Sequence, residues 1–168
     1  MKRVGSAIVI ASLALMLLPA TPARAAGVWD PDDPIYRLDI RWVGVYEQAD
    51  GRIRLTISFH HRVRLRWFEP LQMGTFSTLA VSFSADRNQE GFTFALFGRR
   101  NDRLVAVMCE DQTGCGRGLL RRPDRRTIRA WFDPGALTPH AGWAFRARSW
   151  RHSGGAGPLD RTAFGTVT

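Results

Sequence analysis

The chain has 168 residues, 45% hydrophobic and 23% charged, which is the size of one ordinary domain and excludes a chain too short to bury a core. Its 24 lysines and arginines outnumber its 15 acidic residues and give a formal net charge of +9. Such a balance indicates solubility and non-specific attraction to anions, and by itself it identifies neither a fold nor a site.

The first 25 residues are typical of a secretory signal peptide. Lys2 and Arg3 precede the apolar run Val4–Leu18, and Ala23–Ala25 follows with small residues at the positions that a signal peptidase reads. A membrane anchor is the competing interpretation, but the run has about 15 residues where a span needs about 20. We therefore expect a secreted, extracellular protein in which residues 26–168 form one domain.

Arginine dominates the basic residues of that domain. Without Lys2, Arg3 and Arg24 the 21 remaining cations are all arginines, and the net charge is +6. The planar guanidinium group suits phosphate, carboxylate and sugar hydroxyl groups better than the ammonium group of lysine does. A GC-rich coding bias, which replaces lysine by arginine throughout a proteome, is the alternative explanation.

The segment Leu38–Phe59 predicts a β-hairpin, because two runs of alternating apolar and polar residues flank an Asp-Gly turn. The alternation predicts an inward face of Leu38, Ile40, Trp42, Ile53, Leu55, Ile57 and Phe59. It places Asp39 and Arg41 on the opposite face. The phase is blurred at Val43–Val45, which indicates a bulge or a strand covered on both sides.

Further strands are predicted at Arg62–Phe68, Leu79–Phe83, Phe92–Phe97, Leu104–Cys109, Thr127–Phe132 and Trp143–Trp150. The stretch Gly116–Arg126 is basic and is predicted to be irregular. The glycine-rich tail from Ser153 to Thr168 is either draped over the domain or loose. About eight strands with turns every 8 to 12 residues predict an all-β fold. The expected architecture is an antiparallel β-sandwich, with a lipocalin-like β-barrel as the alternative.

Several segments carry a resemblance to known proteins. They are the acidic lead-in with Asp30, Asp32 and Asp33, the runs Leu-Asp-Ile-Arg-Trp-Val, Leu-Thr-Ile-Ser-Phe and Leu-Ala-Val-Ser-Phe, and the late Thr-Ile-Arg-Ala-Trp-Phe. The pattern covers most of the chain after the signal and resembles secreted actinobacterial β-sandwich proteins, which are similar to family 9 carbohydrate-binding modules and DOMON-type domains. The resemblance implies a noncatalytic binding or surface-associated module, and it transfers no ligand.

The cysteines Cys109 and Cys115 are separated by the five residues Glu-Asp-Gln-Thr-Gly. In an oxidising compartment this spacing predicts a disulfide, which stabilises the fold by roughly 2 kcal/mol in the chain-entropy model. A zinc site would need a different spacing and a histidine within the loop.

Strand parity predicts a ligand-binding face on the last two long strands. Arg129 and Trp131 face outward in one strand, and Arg148 and Trp150 in the other. If the strands pair as neighbours, the four side chains share one face, where indoles stack on sugars and arginines bind hydroxyl or acidic groups. The alternative is that the indoles only cover arginine stems on a solvated sheet.

No cofactor is expected, and the acidic lead-in is a candidate calcium site. Asp30, Asp32 and Asp33 supply oxygen donors, and Asp160 completes the shell if the two termini meet. The alternative is a solvated turn, because the glycine and distal glutamate of an EF-hand loop are missing.

Motifs of catalysis are missing from the sequence, which has no Gly-x-Ser-x-Gly, no His-Glu-x-x-His and no phosphate-binding glycine loop. His60 and His61 point to opposite faces of a strand, so they reach one metal ion only if the strand ends there and turns. We expect a noncatalytic module that binds carbohydrate or an anionic cell-wall polymer and not nucleic acid. A small secreted hydrolase with an unrecognised site and a structural surface protein without a ligand are the alternatives.

Overall fold

A computed structural model describes residues 27–32, 37–71, 78–86, 93–110, 114–135, 139–150 and 160–168. The predicted signal peptide lies outside these ranges. The described strands are β1 (Gly27–Trp29), β2 (Ile40–Glu47), β3 (Ile53–Phe59), β4 (Leu79–Ser84), β5 (Thr93–Arg100), β6 (Arg103–Glu110), β7 (Gly114–Asp124), β8 (Thr127–Phe132), β9 (Ala144–Ser149), β10 (Asp160–Arg161) and β11 (Gly165–Thr166). The one helix within these ranges is a 3-10 turn, Leu65–Trp67, and none of them contains a helix that could cross a membrane.

All pairs of these strands are antiparallel, which confirms the predicted all-β antiparallel class. They form one sheet in the order β1-β2-β3-β8-β7-β6-β5-β4-β9-β10, with β11 also on β9. The long strand β7 joins the two halves, because Gly114–Gly118 pairs with β6 and Leu119–Asp124 pairs with β8.

The sheet curls so that its first and last strands meet at the C-terminal segment. β11 pairs with β9, and close to it the carbonyl of Thr168 accepts a hydrogen bond from the Glu47 N–H of β2 at 2.6 Å. The Thr168 N–H donates to the Val45 carbonyl at 3.2 Å. The Ile40 N–H donates to Asp160 Oδ2 of β10 at 2.6 Å. The described part of the tail is therefore draped over the domain and connects its two ends.

The core lies inside this curl and is built from both halves of the sheet. The predicted inward residues of β3 are all buried. In β2 a register shift lies between Ile40 and Trp42, before the stretch Val43–Val45 where a bulge or a strand covered on both sides was predicted. The shift reverses the parity after it, so Val43 and Val45 are buried and Trp42 lies on the outer face. The prediction that Trp42 belongs to the core is wrong for this reason.

The segment Arg62–Phe68 is not the predicted strand. The Val63 N–H donates to the Arg125 carbonyl at 2.8 Å, and the Phe68 N–H donates to the Leu65 carbonyl at 3.1 Å, which closes the 3-10 turn. The chain thus bends across the end of β8 instead of forming a new ladder.

The stretch Gly116–Arg126 is not irregular as predicted, since most of it belongs to β7. A Cβ atom at Gly118 would lie 2.6 Å from the Phe132 ring, so the neighbouring strand β8 fills the core at this position. β7 therefore lacks the apolar alternation that identifies a strand in a sequence.

Candidate functional site

The outer face of β1, β2, β3, β8 and β7 carries aromatic and arginine side chains. Directly paired residues of antiparallel strands share a face. The register forms one row of Tyr46, Arg54, Trp131 and Leu119, a second of Gly27, Gly44, Thr56, Arg129 and Arg121, and a third of Trp29, Trp42, Ser58, Thr127 and Asp124. We call these residues the aromatic–arginine face. Asp124, at the end of the third row, is their only acidic member, and the charge of Arg129 contributes to lowering its pKa.

Arginines and aromatic rings of this face are in contact. The Arg54 guanidinium lies 4.5 Å from the centroid of the Tyr46 ring, and the Arg121 guanidinium lies 6.0 Å from that of Trp131. Burial raises the pKa of the Tyr46 hydroxyl, and the charges of Arg54 and Arg129 act in the opposite direction. Within the part of the chain that the structure describes, no carboxylate forms a salt bridge with these three arginines.

Trp42 lies flat across paired glycines of β1 and β2. A Cβ atom at Gly27 or at Gly44 would overlap its indole, so the ring occupies the space that two side chains would otherwise fill. Trp29 lies beside it, 66% exposed, with the two ring centroids 6.3 Å apart. The Arg41 guanidinium lies 5.5 Å from the Trp29 ring. This corner of the face presents indole surface next to a positive charge.

The four residues predicted to form one ligand site lie on strands that are not neighbours. β8 pairs with β3 and β7, whereas β9 pairs with β4, so the strands β7, β6, β5 and β4 lie between them. The predicted adjacency is wrong because both edges of β8 are already occupied. Arg129 and Trp131 belong to the aromatic–arginine face, whereas Arg148 and Trp150 are half-buried and lie in the other half of the sheet. Their binding role stays a prediction.

A concave pocket of about 510 Å³ adjoins the same side of the molecule. It is lined by Arg100, Asn101, Arg103, Val105 and Arg117. The β5–β6 turn forms its rim, with left-handed φ angles of 50° at Asn101 and 53° at Asp102, and Arg100 is directly paired with Arg103. Arg117 lies on β7, two positions before Leu119 of the aromatic–arginine face. Positive charge therefore continues from the face into the pocket.

The disulfide links two directly paired residues of the hairpin next to this pocket. Cys109 of β6 and Cys115 of β7 are joined at an S–S distance of 2.07 Å, with their Cα atoms 4.1 Å apart. The predicted pairing of the cysteines is the one the structure contains.

A second polar group lies at one end of the neighbouring strands β1, β2 and β3. Asp32 after β1, Asp39 before β2 and His61 after β3 place one ligand atom each within 4.8 Å of one another. We call these three residues the Asp–His cluster. Asp39 is fully buried, and burial is the main cause that raises the pKa of its carboxyl to about 6. Contacts with Asp32 and Asp160 raise this pKa further, and the charge of His60 lowers it.

The predicted calcium ligands are only partly brought together. Asp32 is in the cluster, and Asp160 lies close enough to Asp39 to influence its charge. The backbone carbonyl of Asp30 lies 3.2 Å from His60 Nε2, and Asp33 lies outside the described residues. The two termini therefore meet as the prediction required.

Two members of the cluster were missed from the sequence. Strand alternation predicted that Asp39 is exposed, and this is wrong because the residue precedes β2 and is covered by the segments that contain Asp32 and Asp160. The signal for His61 was the histidine pair at the end of a strand, since β3 ends at Phe59.

Comparison of this chain with protein-family models, with curated proteins and with solved structures finds no match. The resemblance to family 9 carbohydrate-binding modules and DOMON-type domains therefore stays a prediction from the sequence.

Proposed function

We propose that the protein is a secreted noncatalytic binding domain and that its aromatic–arginine face binds an acidic polysaccharide. The observation that supports this most directly is the row of Tyr46, Arg54 and Trp131, in which two aromatic side chains flank an arginine on directly paired strands. Aromatic rings stack on the apolar faces of sugars, and guanidinium groups bind carboxylate, sulfate and phosphate. Two strand spacings separate Tyr46 from Trp131, about 10 Å, which is the span of two linked sugar rings.

The charge of the face favours an acidic polymer over a neutral one. No carboxylate among the described residues forms a salt bridge with Arg54, Arg121 or Arg129, and the rows contain three arginines against one acidic residue, Asp124. The arginines of the adjoining pocket extend this positive surface beyond β7. A linear polyanion could contact the face and the pocket together, with its charges on arginines and its sugar rings on Tyr46 and Trp131.

The proposal needs only an outer sheet face, which both predicted architectures provide. The β-sandwich and its lipocalin-like alternative stay predictions beyond the all-β class. Secretion, predicted from residues 1–25, would give the domain access to extracellular and cell-wall polymers.

Affinity electrophoresis tests the proposal in gels that contain polygalacturonate, heparin or neutral dextran. The wild-type protein should be retarded by the acidic polymers more than by dextran, and less strongly as salt rises. Trp131→Ala should weaken binding by about 2-fold to 10-fold through lost stacking. Arg129→Ala should weaken binding to the acidic polymers alone.

The matched controls are Trp150→Ala and Arg161→Ala, which remove the same side-chain types from the other half of the sheet. Both should migrate like the wild-type protein. Retardation that survives in Trp131→Ala and Arg129→Ala would reject the face, and no retardation in any polymer would favour a structural protein without a ligand. Release of reducing ends from the polymers would instead favour the hydrolase.

A further inference from the structure

We propose that the Asp–His cluster binds one divalent transition-metal ion of the zinc type, which links the chain after β1 to the start of β2 and the end of β3. This site is separate from the aromatic–arginine face, and it does not depend on the proposed function. The metal class differs from the calcium for which the acidic lead-in was a candidate site.

The buried Asp39 carboxylate is the first reason. Neither Oδ1 nor Oδ2 of Asp39 has a hydrogen-bond partner among the described residues, although both atoms are buried. An isolated buried carboxylate is strongly unfavourable, so it needs a cation or a proton. Oδ2 lies 3.8 Å from His61 Nε2, and the ligand atoms of the three cluster residues lie within 4.8 Å of one another. The carboxylate therefore faces two further donors.

The types of donor atom are the second reason. Calcium is bound by oxygen ligands, whereas zinc accepts both imidazole nitrogen and carboxylate oxygen. Two aspartates and one histidine form a mixed set with two negative charges, which suits a divalent ion of the first transition row.

The surroundings of the cluster fix Asp39 in place and leave the side chains of Asp32 and His61 free to adjust. The His60 N–H donates to the Asp39 carbonyl at 3.0 Å, and His60 Nδ1 lies 3.9 Å from Asp32 Oδ2. The Asp32 and His61 side chains are 56% and 51% exposed, so they can turn toward an ion while buried Asp39 stays in place. The exposed side leaves room for a water ligand, as three protein ligands would require.

Metal titration of the tag-free full chain tests this proposal. After dialysis against a chelator, zinc chloride should bind at one ion per chain by isothermal titration calorimetry and should raise the melting temperature. Calcium chloride at the same concentrations should leave the melting temperature unchanged. Asp39→Asn and His61→Ala should each weaken zinc binding by more than about tenfold, because each loses a direct ligand.

His140→Ala and Asp102→Asn are the matched controls, because they change exposed residues of the same types outside the cluster. Both should bind zinc like the wild-type protein. Zinc binding that persists in Asp39→Asn and His61→Ala is adventitious and overturns the proposal. So does the absence of zinc binding, which would leave a shared proton between Asp32 and Asp39. Calcium binding that is lost in Asp39→Asn would overturn the metal class. Asp39→Asn keeps the shape of the residue and His61 is exposed, so both variants are expected to fold.

Discussion

The aromatic–arginine face and the Asp–His cluster are both polar regions, but they are assembled in opposite ways. The face is made by strand register, since its residues occupy alternate positions of paired strands and project from one side of the sheet. The cluster is made by segments outside the strands, which follow β1, precede β2 and follow β3 at one end of these three neighbouring strands. Periodicity can therefore locate the face, whereas only the tertiary structure locates the cluster.

The two regions also treat charge differently. On the face, the guanidinium groups of Arg54 and Arg121 lie near aromatic rings. Arg121 is exposed, whereas Arg54 is half-buried and its Nε atom has no hydrogen-bond partner among the described residues. In the cluster, the carboxylate of Asp39 is removed from water and its pKa is raised to about 6. We therefore expect the cluster to have the larger effect on stability and the face to have the larger effect on ligand binding.

The largest expected effect is the pH dependence that Asp39 causes in the metal-free protein. Its pKa is about 6 in the fold and 3.8 in the unfolded chain, so the folded protein binds the proton more tightly. The free energy of unfolding should fall as pH rises from about 4 to above 6, by on the order of 3 kcal/mol. The carboxylates of Asp32 and Asp160 raise the pKa of Asp39, and the charge of His60 lowers it. The imidazole of His61 also faces this group, at 3.8 Å.

Urea unfolding in chelator from pH 4 to pH 7.5 measures this free energy for the wild-type protein and for Asp39→Asn, whose side chain does not ionise. The variant should be the more stable protein at neutral pH, and the difference should shrink toward pH 4. Saturating zinc should reverse the order at neutral pH, since only the wild-type protein keeps the full ligand set. If the free energies of unfolding of the two proteins in chelator have the same pH dependence, ionisation of Asp39 does not destabilise the fold.

Much of the fold was predictable because one physical rule, the alternation of a half-buried strand, operates along most of the chain. It gave β3 and its inward residues, and β4, β6, β8 and β9 to within a few positions. The blurred phase at Val43–Val45 follows a bulge in β2 that lies earlier, between Ile40 and Trp42. The sequence could not show whether Trp42 faces the core, because both choices place apolar residues inside. One choice buries Ile40 and Trp42, and the other buries Val43 and Val45.

The strand order was not predictable from local pattern. β9 pairs with β4, far back in the chain, because β8 is already enclosed by β3 and β7. β7 itself was hidden by its composition, since Gly118 leaves space for the Phe132 ring. Strand alternation alone correctly placed half of the predicted ligand site, Arg129 and Trp131, on the outer face. Grouping these two residues with Arg148 and Trp150 required knowledge of the strand order, which alternation does not provide.

The second prediction concerns Gly44, where the Trp42 indole of the aromatic–arginine face lies against the backbone. Gly44→Ala should displace the Trp42 indole and destabilise the fold by about 1 to 3 kcal/mol, because the new Cβ atom overlaps the ring. Gly116→Ala is the matched control, since no described atom lies within 4 Å of its added Cβ, and it should change stability by less than about 0.5 kcal/mol. Urea unfolding measures both. An equal effect of the two variants would mean that Trp42 does not depend on the glycine pair.

The smallest expected effect is the coupling between Tyr46 and Arg54. A double-mutant cycle with Tyr46→Leu and Arg54→Met should give a coupling free energy of about 0.5 to 1 kcal/mol, as expected for an arginine over an aromatic ring near the surface. The same two variants should weaken retardation by polygalacturonate more than their small effect on unfolding suggests, since the pair lies in the row proposed to contact the polymer. A coupling that is absent from unfolding but present in binding would mean that the ligand, rather than the free protein, brings the two side chains together. Coupling in unfolding without any loss of retardation would leave the pair as a purely structural contact of the sheet and would move the binding surface toward the arginine pocket at the β5–β6 turn.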